Sequence, residues 1–163
     1  MKVLQLSALM VSGALLASAH FKLDNPPVRG FDEDKLADAP CGGQDPSATR
    51  FAVSLDNPEL SLELTMGHDH SALQVLLGLG NDPGSNFNIS VLPTLKQVGM
   101  GSLCLPHLSL SEKVLGVKLE DVMNATLQVV TNGDPSGGLY NVRTHTRLFF
   151  FFFFKSSQQV TQF

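Results

Sequence analysis

Tryptophan is missing from this sequence, and tyrosine occurs once, at Tyr140. Flat glycan-binding faces are usually paved with such rings, so the chain is poorly equipped to present one. Basic residues are scarce as well: 11 Lys and Arg stand against 15 Asp and Glu, for a formal charge of −4. No basic stripe exists to meet phosphates, which excludes a nucleic-acid partner. Cysteine occurs only at Cys41 and Cys104, so these two are the disulfide candidates, and a bridge is permitted only outside the cytosol. No apolar run reaches the roughly 20 residues that a membrane-spanning helix needs. There is no internal repeat. Ser71 beside His70 is a neighbour pair, not a nucleophile with an oriented base. Gly78-Leu79-Gly80-Asn81 has no helix after it, so it is not a dinucleotide fingerprint.

What is present suits one domain. The chain has 163 residues, 43% of them hydrophobic and 16% charged, enough apolar surface for a core. Lys2 gives a short positive start, Val3 to Leu16 is mostly apolar, and Ala17-Ser18-Ala19 is a small-x-small cleavage site. Residues 1–19 therefore read as a secretory signal peptide, with cleavage after Ala19. Two glycosylation sequons, at Asn88 and Asn124, agree with that route.

Residues 20–50 are rich in Pro, Gly and Asp and read as loops, with the acidic run Asp32-Glu33-Asp34 a solvated stretch. From residue 60 the pattern has period two. Leu60, Leu62 and Leu64 alternate with Ser61 and Glu63. Leu73 to Leu79, Phe87 to Val91 and Ala125 to Val129 repeat the pattern. Such alternation predicts half-buried strands. Breakers at Asn81–Ser85 and Asn132–Gly138 separate them, and Ser111 to Met123 reads as a loop or a short helical turn. The expected fold is all-β, an immunoglobulin- or fibronectin-like antiparallel sandwich, truncated or distorted at its C-terminal strand.

The end of the chain does not fit that pattern. Phe149 to Phe154 is an unbroken phenylalanine run, and the residues after it are polar and unpatterned. Val142-Arg143 can be encoded by GTAAGA, the form of an intron donor, and Phe codons are thymine-rich, like an acceptor tract. The reading is a domain at residues 20–141 and an aberrant, disordered tail at 142–163, as translation through an unspliced intron would give.

The candidate site follows from processing. Cleavage after Ala19 makes His20 the first residue, so its α-amine and imidazole Nδ1 form one chelate. A second histidine would complete a three-nitrogen set, which favours divalent copper. His68 and His70, in Met66-Gly67-His68-Asp69-His70-Ser71, are the candidates, and both face one side if strand geometry reaches back to them.

The chain resembles the fungal copper acquisition factor family, whose domain is similar to lytic polysaccharide monooxygenases. The resemblance rests on Ala19-His20-Phe21-Lys22-Leu23, Pro27-Val28-Arg29-Gly30-Phe31-Asp32, Ala39-Pro40-Cys41-Gly42-Gly43 and Gln74 to Pro83. It continues through Ser85-Asn86-Phe87-Asn88-Ile89, Gly101-Ser102-Leu103-Cys104-Leu105-Pro106, Gln128 to Gly133 and Leu139-Tyr140-Asn141, in that order. It implies a copper site called a histidine brace, holding one ion, with His20 giving amine and Nδ1. His68 aligns best as the second ligand and His70 is the runner-up. It implies a non-enzymatic role in copper acquisition or homeostasis. The protein would be secreted or at the cell surface, where members are usually held by a C-terminal glycolipid anchor. The expected state is a monomer, with a copper transporter or another cell-surface copper protein as partner. The alternatives are a copper-dependent polysaccharide monooxygenase and a metal-free structural or adhesive sandwich. After Tyr-Asn the family continues with Cys-Ala-Asp, whose Asp is a third ligand, whereas Val142-Arg143-Thr144 stands here.

Overall fold

A computed structural model describes residues 20–80, 82–120, 123–132 and 138–149. The expected signal segment, the central part of the second breaker and the polar end lie outside the described residues.

Among the described residues, eight strands form two sheets. The first contains β1 (Phe21–Asn25), β3 (Glu59–Met66) and β6 (Gly101–Ser109), in the order β1-β3-β6. The second has the order β2-β8-β7-β4-β5, from β2 (Phe51–Ser54), β8 (Gly138–Phe149), β7 (Asn124–Asn132), β4 (His70–Leu79) and β5 (Ile89–Val98). One helical turn, α1 (Glu112–Leu115), precedes β7. The sandwich is all-β as expected. Every pairing is antiparallel except β2 with β8, which run parallel.

The alternation read from the sequence is the core. Leu60, Leu62, Leu64 and Met66 of β3 are buried, and the residues between them are exposed. They face Leu73, Val75 and Leu77 of β4 and Leu127 and Val129 of β7 across the sandwich, all buried. Fully burying one such side chain is worth about 1.5–3 kcal/mol.

β7 departs from simple alternation, since Thr126 and Gln128 on its other face are also buried. The loop rich in Pro and Gly covers that face: Gln128 Nε2 donates to the Pro40 carbonyl at 2.6 Å. Tyr140 N donates to the Leu36 carbonyl at 2.8 Å and Arg29 N to the Val142 carbonyl at 3.4 Å. These bonds satisfy polar groups that burial would otherwise penalise.

The boundary expected at residue 141 falls inside β8. The strand runs on to Phe149, pairing with β7 through Gln128↔Val142 and Leu127↔Arg143, and with β2 through Phe51↔Thr146. Val142, Thr144, Thr146 and Leu148 recur with period two and are β-branched or apolar, a strand pattern that the neighbouring phenylalanine run obscures. The remainder of the expected tail, 150–163, lies outside the described residues.

On the first sheet, Asp24 receives the Thr65 hydroxyl at 2.6 Å and the Lys22 ammonium at 3.1 Å. Burial pushes its carboxyl up, but Thr65 and Lys22 outweigh that and hold it below the usual range. A carboxylate with a depressed folded-state pKa stabilises the fold above its unfolded pKa of about 3.9, and that contribution is lost as pH falls through the lowered value. Asp24→Asn is expected to cost at most about 1 kcal/mol at pH 7 and progressively less below pH 4, checked by urea melts across pH.

Candidate metal centre

Three chain segments meet at one end of the sandwich. The chain enters β1 there at His20. The β3–β4 corner, Gly67-His68-Asp69, crosses from the first sheet to the second. The β5–β6 corner, Gly99-Met100, crosses back.

His20 is half-buried, and its main chain is fixed on two sides. Gly67 N donates to the His20 carbonyl at 2.8 Å, which extends the Phe21↔Met66 pairing by one position. The next residue, Phe21, accepts a 3.0 Å bond at its carbonyl from the buried Asn141 amide of β8. Gly67 is required by close approach: a Cβ there would lie 2.5 Å from the His20 carbonyl oxygen. Gly67→Ala is therefore expected to push β1 from β3 and cost about 1–3 kcal/mol, read as a shift in the thermal midpoint.

His68 follows Gly67 and is half-buried in the bend. Gln97 of β5 secures that bend. Gln97 is 4% exposed, accepts the Ser71 hydroxyl at 2.8 Å, and donates to the His68 carbonyl at 3.5 Å and to the Gly99 carbonyl. Gly99 N in turn donates to the Asp69 carbonyl at 2.7 Å. The two corners are thus tied into one unit.

Strand geometry begins only at His70, so the condition for His68 and His70 facing one side is not met. His70 pairs with Val98 and lies exposed at a groove of about 350 Å³ with Thr94, Leu95 and Lys96. The backbone places His68, not His70, directly after the residue bonded to His20.

The acidic run is not merely a solvated loop. Asp32 caps a 3-10 turn at Glu33–Lys35, and the Glu33 carboxylate contacts His20 Nδ1. Nothing in the sequence signals this contact, because it depends on the loop folding back over β8. Among the described residues no three His, Cys, Asp or Glu side chains cluster to hold a metal. A set of one main-chain amine and two imidazoles needs no such cluster. With the chain cut before residue 20, the amine and imidazole of His20 and the imidazole of His68 would be nitrogen donors of the kind a cupric ion takes.

His107 is remote from this end. It sits near the far end of β6 with φ 55° and pairs with Glu59 at 2.9 Å. Cys41 and Cys104 are free thiols and do not bridge each other. Cys104 is exposed on β6 opposite Glu63, whereas Cys41 lies half-buried beside Arg29 in the loop over β8. Burial pushes the Cys41 thiol up, against the pull of Arg29.

These features define a two-sheet β-sandwich with a histidine at the entry to its first strand and another at the adjoining corner. Residues 18–142 match the family described as copper acquisition factor BIM1-like, and the chain belongs to that family. It is 51% identical over 133 residues to an uncharacterised protein of Aspergillus fumigatus, covering 82% of this chain and 55% of that one. It is 29% identical over 147 residues to a lytic polysaccharide monooxygenase-like protein, X325, of Yarrowia lipolytica, covering 85% and 53%. The chain therefore spans about half the length of the curated relatives it matches.

Proposed function

We propose that the chain carries one copper ion at its head and serves copper acquisition or homeostasis outside the cell. Family membership supports the copper-related part. The observation that supports the site is the bond from Gly67 N to the His20 carbonyl, since His68 is the residue that follows Gly67.

Removal of residues 1–19 frees the His20 amine. That amine and His20 Nδ1 chelate the ion, and the His68 imidazole closes the three-nitrogen set. An ion held at His20 Nδ1 would have to displace the Glu33 carboxylate that contacts this nitrogen, and a carboxylate nearby would offset part of the ion's charge. The amine must lose its proton to bind. Its ordinary pKa is about 7.7–8.0, so affinity rises with pH and falls on acidification. Asn141, Gly67 and Gln97 act on the ligands only by holding the main chain that carries them.

The absence of Trp, and a single half-buried Tyr, favour ion carriage over glycan oxidation in this chain. Of the two sequons, Asn88 is exposed ahead of the edge strand β5 and accommodates a glycan. Asn124 begins the inner strand β7 with its Oδ1 buried. In this reading the partner is a copper transporter or another cell-surface copper protein, and the chain acts as a monomer.

The test is calorimetric titration of Cu(II) into protein that starts at His20. His68→Ala is expected to weaken the tight site by more than about tenfold, while His107→Ala leaves it intact. Equal affinity in all three proteins would reject the assignment.

A further inference from the structure

We propose that Glu33 sets the oxidation state that this end of the sandwich prefers, favouring Cu(II) over Cu(I); this rests on the copper reading above. The Glu33 carboxylate contacts His20 Nδ1, one of the nitrogens assigned to the ion. A charged side chain in contact with a metal-binding nitrogen acts on whatever that nitrogen holds.

The loop fixes the position from which Glu33 reaches His20. Asp32 caps the turn at Glu33–Lys35 by accepting the Asp34 N–H at 3.2 Å. Lys35 N donates to the Asp32 carbonyl at 3.1 Å, and Asp38 N to the Lys35 carbonyl at 2.8 Å. Leu36 is 3% exposed, and the bond from Tyr140 N to its carbonyl pins the turn to β8. The neighbouring ammonium groups have carboxylates of their own: Lys35 pairs with Asp32 at 3.5 Å and Lys22 with Asp24 at 3.1 Å. Glu33 is left to face His20. An ion that displaces the carboxylate from Nδ1 moves it no further than one glutamate side chain on a fixed backbone allows.

Charge decides the preference. Coulomb attraction scales with the charge of the ion, so a carboxylate beside Nδ1 stabilises Cu(II) twice as much as Cu(I). It also gains on loading, because the nitrogen carries at most one proton before and a doubly charged ion after. Soft donors select Cu(I), and a carboxylate oxygen is not one. The Glu33 side chain is 56% exposed, so water and salt screen the attraction and hold the effect to about tenfold. Glu33 therefore favours capture of the divalent ion and lowers the reduction potential of the loaded protein.

The experiment uses protein starting at His20 in a Cys104→Ser background, so that the exposed thiol takes no part in the copper chemistry. Cu(II) affinity is measured by competition with a chelator of known affinity. The midpoint potential of the loaded protein is measured by spectroelectrochemistry, both at one pH and low ionic strength. Glu33→Gln keeps the shape and removes the charge. It is expected to weaken Cu(II) binding about tenfold and Cu(I) binding, by the same scaling, about threefold. That threefold change in ratio raises the potential by about 30 mV for one electron. Glu33→Asp is expected to recover part of both changes. Glu59→Gln removes an equal charge beside the remote His107 and is expected to change neither. A merely structural role for Glu33 would weaken both oxidation states equally and leave the potential where it was. An unchanged or lowered potential in Glu33→Gln, or Cu(II) binding that is unchanged or tighter, overturns this proposal while leaving the brace intact. Failure of the parent to bind Cu(II) overturns the copper reading itself, and this proposal with it.

Discussion

Protein that begins at His20 is expected to bind Cu(II) on the order of 100-fold or more tightly than the same protein with one extra Ala before His20. That is beyond what changes outside the ligand shell usually cost. The extra residue turns the His20 amine into an amide. An amide nitrogen keeps its proton near neutral pH and has little basicity to offer a metal. The chelate then loses one of its two teeth, although both imidazoles remain. Competition titration against a chelator of known affinity measures the difference. The pH profile separates this effect from misfolding. In the processed form, affinity climbs through the titration range of an α-amine, and in the extended form that step is gone. Matching affinities in the two forms would show that the amine is not a ligand.

Leu127→Ala is expected to cost about 2–5 kcal/mol of folding stability. Leu127 is 1% exposed on β7, between Leu77 of β4 and Arg143 of β8 in the register. It sits in the middle of the five-stranded sheet, where neighbours on both sides are held by ladder bonds and cannot collapse into the void. Lost transfer energy and residual cavity therefore add. For a domain of this size the thermal midpoint should fall by roughly 5–15 °C. Val98→Ala is the contrast: it is 67% exposed, and the expected change is within about 0.5 kcal/mol. A drop of similar size in both variants would mean that the core is not where burial places it.

The strands visible in the sequence are those with one face dry and one wet. β3 and β4 announce themselves through leucines at every second position, and the Asn81–Ser85 breaker separates β4 from β5. β6 stayed hidden because it is an edge strand with much of both faces exposed and Pro106 within it, so alternation carries little signal. β1 is five residues long inside a segment dominated by turn formers. β8 was masked by the phenylalanine run at its end. At the candidate metal centre, the processing site and the resemblance point to His20 and His68. Glu33, Gln97 and Asn141 were not. Each acts through a partner far away in the chain, and nothing in local pattern marks a polar residue as the one that will close such a contact.

The bond between Asn141 and Phe21 joins positions 120 residues apart, and the turn carrying His68 is itself held from Gln97. A growing polypeptide consequently presents His20 long before the strands that orient it have emerged. Contacts of such long range form slowly. The end of the sandwich that holds His20 and His68 is therefore among the last parts of the molecule to be finished, and a partly synthesised chain lacks the bonds that fix it.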